Sequence, residues 1–268
     1  MTFNTCKCQE IFRTRFTGVS GIPFQDYRSG KAIKSMPVDF ADLARYRVEK
    51  NRDMATFYYK AVMSLAEGLA CVARKNYTWA TIKLYYSTYF SLRASLLSRN
   101  YVLVRANRNL YYFEIKPGAV FVPPQKDNTD HGGTIEVYEN IFGSSDFMCI
   151  DEIEGVSLLT WLKNCREIVN YKDEEFHDPE VSELWEYIDR KMENTSVSML
   201  VDEFINKKKE CCTSSDTAVV AIPINRILMT AQDIRNNALS AMTDKQKEWI
   251  RTILTDLVND TFLDDILV

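Results

Sequence analysis

The sequence predicts a mainly α fold: an antiparallel helical bundle with an inserted β-hairpin, an extended N-terminal arm and additional C-terminal helices. Three observations carry this. Apolar residues recur at three- and four-residue steps over most of the chain beyond Asp39. One short stretch of β-type residues is folded around Pro117-Gly118. Gly18, Gly21, Pro23, Gly30 and Pro37 break up the first 37 residues, where helical periodicity is absent. The domain boundaries that follow are 1–37 for the arm, 38–179 for the bundle, with its hairpin insertion near 109–123, and 180–268 for the C-terminal helices.

The elements follow in order. From Asp39 to Asn76, Phe40, Leu43, Ala44 and Tyr46, then Phe57, Ala61, Leu65, Leu69 and Val72, mark one long helix or two in sequence. Thr78 is placed to cap the next helix, in which Trp79, Ile82, Tyr86, Tyr89, Phe90, Ala94 and Leu97 recur up to Arg99. Leu110–Ile115 and Ala119–Val122 read as the two strands of the hairpin. Helical spacing resumes with Ile135, Val137, Tyr138 and Ile141, and again from Ile153 to Tyr171. Further helices are expected over Val181–Met192, Val197–Cys211, Pro223–Asn237 and Lys245–Asn259, the last opened by the capping box Thr243-x-x-Gln246.

Composition narrows the function classes. The 268 residues are 46% hydrophobic and 26% charged, the balance of an ordinary globular chain able to bury a core. Seven cysteines, an odd number, and no apolar leader argue for reduced thiols and a cytoplasmic protein. No run reaches the roughly 18 to 20 apolar residues of a membrane-spanning helix. The net charge of −4 hides an uneven distribution. Between Glu67 and Glu114 there is no acid, while Arg74, Lys75, Lys83, Arg93, Arg99, Arg105 and Arg108 fall inside that window. Interleaved with Tyr77, Trp79, Tyr101 and Tyr111, these bases are what binding of single-stranded RNA requires; they equally fit a solvated face matched to the acidic last 25 residues.

The segment richest in chemistry runs from Trp161 to Pro179. Arg166 near a helix end, Glu167 directly after it and Tyr171 five positions on bring polar groups onto about one helical turn. Upstream, Lys83-Leu-Tyr-Tyr-Ser-Thr-Tyr-Phe-Ser-Leu-Arg-Ala-Ser-Leu-Leu97 resembles the tyrosine-rich second helix of HEPN proteins, and His131-Gly-Gly-Thr-Ile-Glu-Val-Tyr138 resembles the start of the helix that follows it. Arg166–Tyr171 then falls where that family keeps Arg-x4-6-His, or an Arg-x4-Tyr variant. The resemblance spans about Asp39 to Pro179.

The resemblance implies a prokaryotic defence or toxin–antitoxin protein that cleaves RNA without a metal, at a composite site made by two protomers. In it Arg166 would stabilise the charge that builds on the phosphate and a histidine would move the proton. Tyr171 stands where that histidine is frequent, and phenols, which ionise near about pH 10, are poor bases at neutral pH. His177 lies beyond the expected helix end, and Glu167 could orient Arg166 or act as a base. Lys83, Arg93, Arg99, Arg105 and Arg108 would supply phosphate contacts. The alternative is a silent HEPN-like subunit of a homodimer or hetero-complex, with Arg166 paired to Glu167 or Glu175 and the tyrosines acting as core and interface aromatics. No cofactor and no metal site is expected: Cys6-x-Cys8 and Cys211-Cys212 lack zinc-site spacing, and phosphate-binding glycine loops are absent.

Overall fold

The computed structural model describes residues 6–17, 33–34, 36–106, 109–172, 176, 178–237 and 239–268. It is mainly helical, with two small antiparallel strand pairs. Helix α1 spans Lys7–Thr17, α2 Phe40–Ala73 and α3 Tyr77–Ser98. Strands β1 (Tyr101–Ala106) and β2 (Asn109–Glu114) follow, then α4 (Asp130–Phe142) and α5 (Phe147–Ile150). Two-residue strands β3 (Glu152–Ile153) and β4 (Val156–Ser157) lead into α6 (Leu158–Glu167). The rest comprises α7 (Glu186–Met192), α8 (Val197–Asn206), α9 (Lys208–Thr213), α10 (Ala218–Asn236), α11 (Asp244–Leu254) and α12 (Asp260–Ile266).

Helices α2 and α3 form a helical hairpin, reversed at Lys75 with φ 57°. The expected helix over 39–76 is one continuous rod of 34 residues. Helix α3 lies at the centre: 17 of its 22 residues are buried, because α2 covers one side while α4, α6 and α10 cover the others. An element apolar nearly all round must sit inside. Its start, Tyr77, is two residues earlier than a cap at Thr78 predicts. Asp178 supplies the cap, its carboxylate accepting from the amides of Tyr77 at 3.0 Å and Thr78 at 3.1 Å. Trp185 stacks on Tyr77 with centroids 4.7 Å apart and donates to Thr81 Oγ1 at 2.9 Å.

The helices after residue 180 share this core. Helix α10 packs on α3, where Ser95 donates to Thr230 Oγ1 at 3.0 Å. Its Arg226, 1% exposed, is held by Asp146 and by Tyr138 Oη at 2.6 Å. Tyr58 of α2 donates to the Ile266 carbonyl at 2.8 Å, fixing α12 against the same core.

Several expectations are corrected. The N-terminal arm contains a helix. Asp53 of α2 accepts from the amides of Lys7 and Cys8, so the cap of α1 comes from a residue 45 positions away, and Ile11 and Phe12 are buried. Gly18, Gly21, Pro23 and Gly30 lie outside the described residues. Strand Leu110–Ile115 exists as β2, but its partner is β1, in register from Tyr101↔Glu114 to Ala106↔Asn109. The expected second strand, Ala119–Val122, meets β2 at one bridge, Tyr112↔Val122, and meets Pro37 through Val120. Pro123 and Pro124 have no amide to continue that ladder. The helix expected from Ile153 begins at Leu158, because Glu154 (φ 54°) and Gly155 (φ 75°) turn β3 back on β4 and Ser157 caps α6 through Thr160 N–H. The helix expected over Val197–Cys211 breaks at Lys207. Helix α10 starts five residues before Pro223, and α12 is an additional element.

Among the described residues, no helix is long and apolar enough to cross a membrane.

Candidate functional site

Three elements converge on one polar cluster inside the bundle. Helix α3 contributes Tyr85, Tyr86 and Tyr89, whose i, i+1 and i+4 spacing puts all three rings on adjoining faces. Tyr85 and Tyr89 stack one turn apart with centroids 6.4 Å apart. Helix α4 contributes His131 from its first turn. Its ring lies 4.5 Å from Tyr89, 5.6 Å from Tyr85 and 5.7 Å from Tyr86, centroid to centroid. Helix α6 contributes Arg166 from its last turn.

The position of His131 is fixed locally. Thr129 caps α4, its hydroxyl accepting from Gly132 N–H at 3.2 Å. The carboxylate of Glu136, one turn further on, accepts from the amides of Gln125, Lys126 and Asp127, drawing the preceding loop across the helix start. Only glycine fits under that loop: a Cβ on Gly133 would meet the Asp127 carbonyl oxygen at 2.6 Å. The His-Gly-Gly run is thus a requirement of close backbone approach.

Arg166 is 5% exposed. Its Nη2 donates to Tyr86 Oη at 3.1 Å, and the guanidinium carbon lies 5.4 Å, 5.5 Å and 5.0 Å from the ring centroids of Tyr85, Tyr86 and Tyr171. Its Nε is buried with no hydrogen-bond partner, and among the described residues no carboxylate pairs with it; Glu175, one of its two expected partners, lies outside the described residues. The other deeply buried arginines differ: Arg13 pairs with Glu10 and Arg226 with Asp146. A buried cation left without a counter-charge is costly unless an anion is meant to enter.

Tyr171 reaches Arg166 because α6 ends in a single π turn over Ile168–Lys172. In a straight α-helix a residue five positions on points well away; the i→i+5 turn returns it to the same side. Tyr171 itself is 69% exposed and covers the guanidinium from outside. Glu167 turns away from Arg166 and faces Lys163 Nζ at 3.7 Å; that Lys163 also lies 4.0 Å from Asp127.

His131 Nδ1 and Tyr85 Oη are 2.8 Å apart. Burial, followed by the Arg166 guanidinium, holds the imidazole below the ordinary histidine pKa, with Asp130 and Glu167 pulling the other way. Burial likewise pushes the phenol of Tyr85 up, so it stays a neutral partner. The cluster therefore joins a fixed positive charge to a neutral imidazole able to take a proton.

Of the expected nucleic-acid contacts, Lys83 pairs with Glu67, Arg99 with Asp233, and Arg93 and Arg105 share Asp130. These bases of the acid-free window thus meet carboxylates from other elements, while tail acids Asp264 and Asp265 face Arg251 and Arg235. Arg93 and Arg105 border the cluster, since Asp130 precedes His131 and Arg93 donates to Tyr89 Oη at 3.3 Å. Lys83 and Arg99 are engaged elsewhere, beside α2 and α10. His177 and Arg108 lie outside the described residues.

His131 is the residue that sequence reasoning left out of the site. The available signal was one of only two histidines in the chain, set in the first turn of a helix just after a capping threonine. The cysteines of the described residues are free, and burial raises the thiols of Cys165 and Cys212 to about 12, leaving them protonated and unreactive. Among the described residues no three His, Cys, Asp or Glu side chains gather to hold a metal ion. In comparisons with known proteins, no family model, no curated protein and no solved structure matches this chain.

Proposed function

We propose that this chain is a cytoplasmic, RNA-targeting HEPN-like protein of a prokaryotic defence or toxin–antitoxin system, acting as a metal-independent endoribonuclease with the phosphodiester seated at Arg166. The observation that carries the reading is the buried Arg166 guanidinium, which has an unsatisfied Nε and, among the described residues, no carboxylate partner. A phosphate oxygen would supply both the missing charge and the missing acceptor. A preorganised cation at that point stabilises the charge that develops on phosphorus during attack by a 2′-hydroxyl. The exposed ring of Tyr171 above it suits stacking of an unpaired base.

The test is incubation of the protein with labelled single-stranded RNAs, tRNA and DNA in EDTA, beside an Arg166→Met variant. Methionine fits better than alanine because Arg166 is buried and its removal would open a cavity. Cleavage confined to RNA and lost in the variant is the expected result. No cleavage from a folded protein would refute the enzymatic reading.

A second reading, the silent subunit of a homodimer or hetero-complex, is favoured by exposed apolar side chains on and near the π turn. Ile168 and Tyr171 belong to that turn, and the exposed ring of Phe176 meets Trp79 edge-on at 5.8 Å. Such a patch is what a partner chain would cover. Co-purification of a stoichiometric partner that releases on Trp79→Glu would support it.

A further inference from the structure

We propose that His131 moves the proton at the Arg166 seat, so that the cation and the proton carrier of this site belong to one chain. The inference rests on the phosphodiester reading and departs from what the family resemblance implies, a site shared between two protomers. It stands on geometry first. Arg166 from α6 and His131 from α4 meet across the same two rings of α3: Tyr86 accepts from Arg166 and lies against His131, while Tyr85 underlies the guanidinium and bonds His131 Nδ1. All three helices are anchored in a common core, so the pair is held without help from a second copy.

The imidazole is oriented for the task. With Nδ1 engaged by Tyr85 Oη, Nε2 is the nitrogen with no protein partner among the described residues. When Tyr85 Oη accepts from Nδ1–H, Nε2 presents its lone pair. The charged groups around the ring are Asp130 on its own helix, Asp127 on the loop before it, and Lys163, Arg166 and Glu167 on α6; the phenols of Tyr85, Tyr86 and Tyr89 face it from α3. Burial and Arg166 keep it neutral and ready to accept. Tyr171 covers the guanidinium but makes no contact with His131 in this arrangement, which leaves it the covering residue and not the base.

The step balances. His131 Nε2 takes the 2′-hydroxyl proton as that oxygen bonds to phosphorus, while Arg166 holds a non-bridging oxygen. The bond from phosphorus to the 5′-oxygen breaks, and the imidazolium returns the proton to that oxygen. A 2′,3′-cyclic phosphate and a 5′-hydroxyl result, with nothing oxidised or reduced. Tyr85 is a positioning residue.

Three measurements test this. His131→Gln is expected to lower kcat/KM on RNA by about 10²- to 10⁴-fold and to abolish the acid limb of its pH profile, and Tyr85→Phe is expected to displace that limb. Cleavage by His131→Gln with an unchanged pH profile would overturn the proposal while leaving the ribonuclease reading intact. Co-expression of Arg166→Met with His131→Gln chains is expected to yield no cleavage, whereas recovery in the mixed protein would show that the two groups act across a dimer. Should the wild-type protein cleave nothing, the ribonuclease reading falls. The pairing is then read by NMR: inorganic phosphate should shift the His131 Cε1–H resonance in the wild type and not in Arg166→Met, and absence of that shift would refute the pairing itself.

Discussion

Replacing Arg166 by methionine should leave the protein nearly as stable while destroying its function. A structural arginine would show the opposite. The magnitude follows from its surroundings. The guanidinium is 5% exposed, keeps one hydrogen bond, to Tyr86, and has a buried Nε with no acceptor. Against it stand the desolvation of a full charge, several kcal/mol, and about 1–3 kcal/mol for the unsatisfied donor. In its favour are one charge-assisted bond of about 1.5–3 kcal/mol and contacts with three aromatic faces, about 2 kcal/mol each at Tyr85 and Tyr86 and about 0.5–1 kcal/mol at exposed Tyr171. Methionine keeps the length and the apolar contacts with Tyr85, Tyr86 and Tyr171 while deleting the charge. The opposing sums nearly cancel, so the expected change is within about 1 kcal/mol, or about 2–4 °C in Tm for a chain of this size. Thermal melts followed by circular dichroism measure it. Inorganic phosphate at about ten times its Kd should raise the wild type by about 1.4 kcal/mol and leave the variant unchanged. A variant that melts several degrees lower, with no phosphate response in either protein, would show that Arg166 is a structural tie and that the anion seat does not exist.

The remaining predictions concern the frame around the site. Asp146→Ala should destabilise by about 3–5 kcal/mol in urea titration, since it leaves Arg226 in the core with only Asp233, at 3.9 Å, as counter-charge and removes the acceptor of Tyr138. Asp178→Ala should cost about 1 kcal/mol by removing the cap of α3, and hydrogen exchange should quicken first at the amides of Tyr77 and Thr78. His131 has a folded pKa below its unfolded value, so the unfolded chain binds the proton more readily. Stability is therefore full above the unfolded pKa near about 6.5 and declines as pH falls through that value toward the folded one; His131→Gln should flatten this part of the pH–Tm curve.

What was legible in the sequence is what local spacing encodes. Although the expected cap Thr78 lies inside its helix, the helix from Asp39, the helix up to Arg99, the helix near His131 and the capping box at Thr243 all form where periodicity places them, because burial of one face sets the 3.6-residue period whatever the neighbour. The strand Leu110–Glu114 was legible for the same reason; its partner was not, because a strand's own residues carry its face and not the identity of the neighbour. Helix α1 was hidden because its cap, Asp53, is supplied by another helix.

Of the candidate site, the sequence by itself determined Arg166, Tyr171 and the tyrosine face of α3, since a helix fixes which residues of one segment share a side. That Tyr171 covers Arg166 depends on a π turn that the spacing alone does not require. Whether a charge is paired is a property of the fold: only packing sends Glu67, Asp130 and Asp233 to the bases of the middle region and leaves Arg166 without a carboxylate among the described residues. The meeting of His131 with Arg166 is likewise tertiary. It joins two helices 35 positions apart across a third, and a long-range contact of that kind has no period, cap or turn in the chain to announce it.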